Sequence, residues 1–159
     1  MAATFRRRPN RLPLGNYADH HFYLLTLASH GRRNVFAGSA APMCVTALRI
    51  VATKHAAGIL AYCFMPDHVH LLVHCPERTF LPDFIRDFKQ ATGFRFKKQT
   101  GCQLWQKSYH DHVLRSEESV MDAARYIVAN PVRAGLVADP SAYELTGSFV
   151  WDRDALMEG

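Results

Sequence analysis

The sequence predicts an α+β fold: a split βαβ unit in the order β-α-β-β-α-β, followed by one more helix. Three observations predict it. Apolar residues alternate between a two-residue and a 3.6-residue period in that order along the chain. Gly31 to Asn34, Gly58 and Pro66-Asp67 separate the segments as turn-formers. The 159 residues contain no repeat or linker-like stretch, which fits one domain with its own core.

Residues 1–19 read as an arm, because Pro9, Pro13 and Gly15 interrupt any regular element. Residues 21–28, aromatic and aliphatic, read as a first strand. Val45, Leu48, Ile50 and Val51 suit a helix over 43–57, ended by Gly58. Residues 59–65 and 68–75 read as a strand pair joined at Pro66-Asp67. Phe84, Ile85, Phe88 and Ala91 mark one face of a helix over 80–99, with Gly93 weakening its middle. Residues 104–115 read as a fourth strand. Ser116 followed by Glu117 and Glu118 starts a helix expected to stop near Asn130, before Pro131. The first six elements match the ferredoxin-like arrangement: an antiparallel sheet with helices on one face, the first and third strands central. A C-terminal helix carrying Tyr126 is added to it. Residues 20–138 form the domain in this reading, and 139–159 an acidic tail.

Charge is unevenly spread over a chain of net +5. Residues 1–11 hold Arg6, Arg7, Arg8 and Arg11 and no acid, while residues 139–159 carry five acids and one arginine. The body between them is therefore basic, which favours a polyanionic partner such as nucleic acid. No apolar run approaches the roughly 20 residues of a membrane span, and the arginines at the start precede no apolar stretch of a secretory signal. A cytoplasmic location is expected. Cys44, Cys63, Cys75 and Cys102 form no C-x-x-C pair; Cys63 and Cys75 read as buried, reduced thiols.

Two segments carry chemistry. In Met65-Pro-Asp-His-Val-His-Leu-Leu-Val73, His68 and His70 fall on one strand face, as two imidazoles of a metal site. In the last helix, Tyr126 and Asn130 are four apart and share a face. If that face meets the histidines, Asn130 completes a His-His-amide set with open positions. Such mixed ligands suit Mn²⁺ or Mg²⁺. A phosphate on the open positions would be polarised and oriented there. Tyr126 would attack it, because a phenol is a weak nucleophile at neutral pH and needs that help. His110-Asp111-His112 is a second H-x-H with an acidic centre, read as core-edge or DNA-facing; His74 is read as structural. Arg95, Lys97 and Lys98, with Phe94 and Phe96 interleaved, suit phosphate contact and base stacking. The competing reading is a solvated helix face with two core phenylalanines.

The two segments, together with Leu104-Trp-Gln-Lys-Ser-Tyr-His-Asp-His-Val-Leu-Arg115, resemble the single-tyrosine HUH transposases, and within them the REP-associated tyrosine transposases, over roughly residues 5–137. The resemblance implies a divalent-metal enzyme that cuts single-stranded DNA near a hairpin and forms a covalent 5′-phosphotyrosine. By motif position it makes His68 and His70 the metal ligands, Tyr126 the nucleophile and Asn130 the third ligand, where related insertion-sequence enzymes often have glutamine. It gives Arg6, Arg7, Arg8 and Arg11 the reading of a short sequence beside the hairpin. Relatives act either as homodimers with the site in trans or as monomers with it in cis. The runner-up is a non-catalytic hairpin-binding module on the same fold; a hydrolase using water is a third reading.

Overall fold

The computed structural model describes residues 20–157. The element order is β1 His20–Ala28, α1 Ala40–Lys54, β2 Gly58–Met65, β3 His68–Pro76, α2 Leu81–Thr100, β4 His110–Leu114, α3 Glu117–Arg133, β5 Thr146–Gly147 and α4 Arg153–Met157. The strands form one sheet in the order β4-β1-β3-β2-β5, antiparallel throughout. The expected α+β architecture is present, with β1 and β3 paired at the centre.

Both faces of the sheet are covered. Leu25, Leu27, Val69, Leu71 and Val73 pack with α1 and α2 on one face. Phe22, Leu60, Ala61, Cys63 and Leu72 pack with α3 and α4 on the other. This explains why β2 and β3 are almost continuously apolar: a strand buried on both faces needs no alternation. α2 buries Phe84, Ile85, Phe88, Thr92 and Phe96, a stripe at helical spacing, and ends at Gly101 with φ +76°. Ser116 caps α3 by accepting from the Ser119 N–H.

Four boundaries differ from the sequence reading. α1 starts earlier and stops at Lys54; Ala56 takes the left-handed turn at φ +53°, and Gly58 opens β2 instead of ending the helix. β4 is confined to five residues. Ahead of it, Trp105 bridges to Ser29 while His110 pairs Thr26, so four residues of this strand lie opposite two of β1 and the ladder breaks. α3 continues through Pro131 to Arg133. Near a helix end the proline removes a single N–H, and the residue is buried. Finally, the stretch read as a tail is integrated as far as residue 157. β5 pairs with β2, Trp151 and Leu156 are buried beside α3, and the Tyr143 hydroxyl donates to the Phe64 carbonyl at 2.5 Å. Its acids stay outside while its apolar residues enter the core, so net charge concealed its role.

Candidate active site

The β3 strand begins immediately after the Pro66-Asp67 turn, which Ser29 fixes by donating from its hydroxyl to the carbonyl of Asp67. Alternation puts His68, His70, Leu72 and His74 on the α3 face. Arg32, left-handed at φ +56°, places its Nε 3.2 Å from Asp67 Oδ2. Asp67 Oδ1 in turn lies 2.6 Å from His68 Nδ1. Burial alone would raise the Asp67 carboxyl, but the His68 hydrogen bond and the Arg32 charge outweigh it and hold the group below its ordinary range. An ionised carboxylate can only accept, so Nδ1 of His68 carries the proton and Nε2 keeps its lone pair in the neutral ring.

His70 Nδ1 lies 3.2 Å from Thr26 Oγ1, contributed by the register partner on β1. Its Nε2 faces His68 Nε2 at 3.1 Å. Burial pulls the His70 pKa down to about 4, aided by the charges of His68, Arg133 and Arg32, so the ring is neutral at pH 7. The two Nε2 atoms converge at 3.1 Å, a distance that leaves room for one proton or one cation between them. The spacing suits two nitrogens that share one cation at about 2.1 Å each. Among the described residues no third His, Cys, Asp or Glu joins them. A third protein ligand must therefore be of another type.

α3 supplies the opposite wall. The Tyr126 ring stands edge-on to His70 with centroids 5.9 Å apart, and the residue is 47% exposed. Arg133, one further turn and more along, places its guanidinium carbon 4.2 Å from the Tyr126 centroid. It donates to the Tyr126 carbonyl at 2.8 Å and to Asn130 Oδ1 at 2.9 Å. Asn130 Nδ2 is buried with no hydrogen-bond partner. An orphaned buried amide calls for an explanation, and a bound group is one. A cation would take the amide oxygen, which here accepts from Arg133, whereas the orphaned Nδ2 can only donate, as to a phosphate oxygen; the fit to a divalent cation is therefore carried by the two imidazoles.

Tyr126 and His70 are thus brought together, with His68 beside them and Asn130 on the same helix. Arg95, Lys97 and Lys98 are exposed on α2, which covers the other face of the sheet. Phe96 is core, whereas Phe94 is 73% exposed. Arg6, Arg7, Arg8 and Arg11 lie outside the described residues. His110 is exposed and shares the His70 face, opposite Thr26. His74 is 2% exposed against the Phe22 ring. Burial raises the pKa of Cys44, Cys63 and Cys75 to about 12, so these thiols stay protonated.

Sequence reasoning missed Arg133, Thr26, Arg32 and the full part of Asp67. Two signals existed. Arg133 is three residues beyond Asn130 and seven beyond Tyr126, on one helical face. Thr26 is the one polar residue in the second half of β1, Leu24 to Ala28.

Comparison with known proteins shows the fold and the family. The solved structure of a REP-associated tyrosine transposase bound to a REP hairpin superposes with a TM-score of 0.69 at 22% identity, covering 79% of this chain and 75% of that one, which establishes the shared fold. A Haemophilus influenzae protein provisionally named a REP-associated tyrosine transposase is 29% identical over 90 residues, 49% of this chain and 51% of its own length. The ISDra2 transposase TnpA of Deinococcus radiodurans is 31% identical over 86 residues, 49% of this chain and 61% of its own. The matches to these curated relatives thus span between half and three fifths of their lengths. The family model described as "Transposase IS200 like" matches residues 18–130, a segment running from the arm's end through both histidines and Tyr126 to Asn130. On that match the chain belongs to the IS200-like transposase family.

Proposed function

We propose that this protein is a metal-dependent transposase that cuts and rejoins single-stranded DNA at or near hairpins through a covalent 5′-phosphotyrosine. The observation that carries the reading is the approach of Tyr126 to an imidazole pair whose Nε2 atoms converge at 3.1 Å. Family membership and the hairpin in the similar solved structure support DNA as the partner.

In this reading His68, His70 and Asn130 hold Mg²⁺ or Mn²⁺. The bound cation supplies Lewis-acid polarisation of the scissile phosphate. Asp67 and Thr26 orient the imidazoles through their Nδ1 atoms, as outer partners of metal-binding histidines do. The Tyr126 phenolic oxygen bonds to phosphorus while the P–O3′ bond breaks. The phenol loses its proton and the departing 3′ oxygen gains one, so no water or oxidant is consumed. The phosphodiester bond energy is retained, and an incoming 3′-OH reverses the step to join strands. Neither monomer nor homodimer is required by these contacts, because all of them lie within one chain.

The test is an adduct assay with labelled hairpin DNA bearing single-stranded flanks, with and without Mn²⁺, on a denaturing gel. A metal-dependent protein–DNA band is expected, absent from Tyr126→Phe while hairpin binding persists. Cut DNA without an adduct would mean attack by water. Hairpin binding with neither cutting nor adduct would leave the protein a binding module.

A further inference from the structure

We propose that the groove between α2 and the segment 103–107 binds an unpaired nucleotide of the DNA strand, with its base against Phe94 and its phosphates on Lys97 and Lys107. This rests on the strand-transferase reading and adds a grip on the opposite face of the sheet from Tyr126.

The groove encloses about 860 Å³ and is lined by residues of α2 and by 103–107. Its chemistry is of two kinds. Phe94 provides exposed aromatic surface, with the largely buried Trp105 at the floor, and Lys89, Lys97 and Lys107 provide positive charge. No carboxylate occurs among the described lining residues. An aromatic face beside lysines is how proteins hold single-stranded nucleic acid, because every base has a face to stack and every nucleotide a charge. A lone exposed phenylalanine is ordinary on a surface. Phe94 differs in standing at the rim of a groove free of acids, 73% exposed, while Phe96 two residues on is core.

Gly93 is the second observation. It sits in the middle of a 20-residue helix, where glycine costs stability relative to alanine. Packing does not demand it: a Cβ there would meet only Trp105 Cδ1, at an ordinary 3.7 Å. The missing side chain instead keeps the groove open beside Phe94.

The far wall is anchored. Lys89 Nζ donates to the carbonyls of Gln106 at 2.6 Å and Lys107 at 3.3 Å. The Gln106 N–H donates to the carbonyl of Ala28, the register partner of His68. The groove and the histidine pair therefore share one end of the sheet, and a strand leaving Tyr126 reaches the groove around that end. Bases inside a duplex have both faces covered by their neighbours, whereas an unpaired base brings a free face to Phe94.

The test measures binding of the full chain to one hairpin in two forms: blunt, and with a short oligothymidine extension. Phe94→Ala removes the stacking surface from an exposed position, so its fold is retained, which a thermal melt verifies. It is expected to weaken the extended form about tenfold and leave the blunt form unchanged. Gly93→Leu fills the groove and should reproduce that selective loss, whereas Gly93→Ala should raise the melting temperature and change affinity little. Lys97→Gln with Lys107→Gln should lower the salt dependence for the extended form alone, by about two phosphates. Equal affinity of wild type and Phe94→Ala for the extended hairpin, or equal losses on both forms, would overturn the groove proposal while wild-type adduct formation left the strand-transferase reading standing. A wild-type chain that binds neither form would overturn both.

Discussion

Arg133 lies over Tyr126, its guanidinium carbon 4.2 Å from the ring centroid, and donates to the carbonyl of the same residue at 2.8 Å. One side chain thus holds the tyrosine by its ring and by its backbone, and holds the Asn130 amide as well. Arg133→Ala should leave DNA binding and folding close to wild type while slowing adduct formation roughly 3- to 10-fold. That range follows from about 1 kcal/mol for an exposed cation–π contact together with lost orientation. Arg133→Lys keeps the charge but cannot make the same forked contacts, so it should recover only part of the rate. Single-turnover kinetics of adduct formation would check both, and an unchanged rate in the alanine variant would remove Arg133 from the site.

Cation binding should be visible without catalysis. If His68 and His70 hold Mn²⁺, saturating metal at about 100 times its dissociation constant adds about 2.7 kcal/mol to stability. That corresponds to roughly 5–10 °C in melting temperature for a chain of this size. His68→Ala and His70→Ala should each abolish the shift. A wild-type melt indifferent to Mn²⁺ and Mg²⁺ would contradict the ligand assignment.

Acid sensitivity should arise between the helices α1 and α2. Asp87 Oδ2 lies 2.9 Å from Lys54 Nζ and 2.7 Å from His55 Nε2, and its Oδ1 accepts from Arg86. The hydrogen bonds from Lys54, His55 and Arg86 hold its pKa well below the carboxylate range. Because the folded value is lowered, the unfolded chain binds more protons as pH falls below about 4. The contribution is therefore complete above that pH and is lost on further acidification. Asp87→Asn should flatten the stability–pH curve in this acid limb and leave the region above pH 5 parallel to wild type, as measured by urea midpoints.

The C-terminal stretch should prove structural. Trp151 is 9% exposed and Leu156 2%, both in the cluster beneath α3. Trp151→Ala should destabilise by about 3 kcal/mol. Ending the chain at Ala138 would in addition uncover the β2 edge that β5 pairs with. Such a truncation should aggregate or unfold, not merely lose an acidic tail. A soluble truncated chain with an unchanged melting temperature would exclude this.

The segments that read clearly in the sequence were those whose signal is local. The alternation at His68 and His70 needs only a strand, and the spacing of Tyr126 and Asn130 needs only a helix. Ser116 as the cap of α3 is likewise set by neighbours in the chain. The order of elements followed from the changes of period, and family resemblance followed from the motifs. The misplaced boundaries share another cause. Ala56, a residue with no local preference for it, took the left-handed conformation in place of Gly58. Pro131 stayed within α3 because the residue is buried where a free helix would have ended.

By itself, then, the sequence singled out the candidate groups and the face of its own element on which each one lies. Only the tertiary structure decided which faces meet. α3 crosses the face carrying His70, bringing in Tyr126, while α2 and its basic residues cover the other. It also decided which partners stand beside them: Thr26 reaches His70 across 44 residues of chain, and Arg32 reaches Asp67 from the segment that follows β1. Periodicity encodes the direction of a side chain relative to its own backbone. The meeting of two faces depends on how the whole core packs, and no local pattern carries that information.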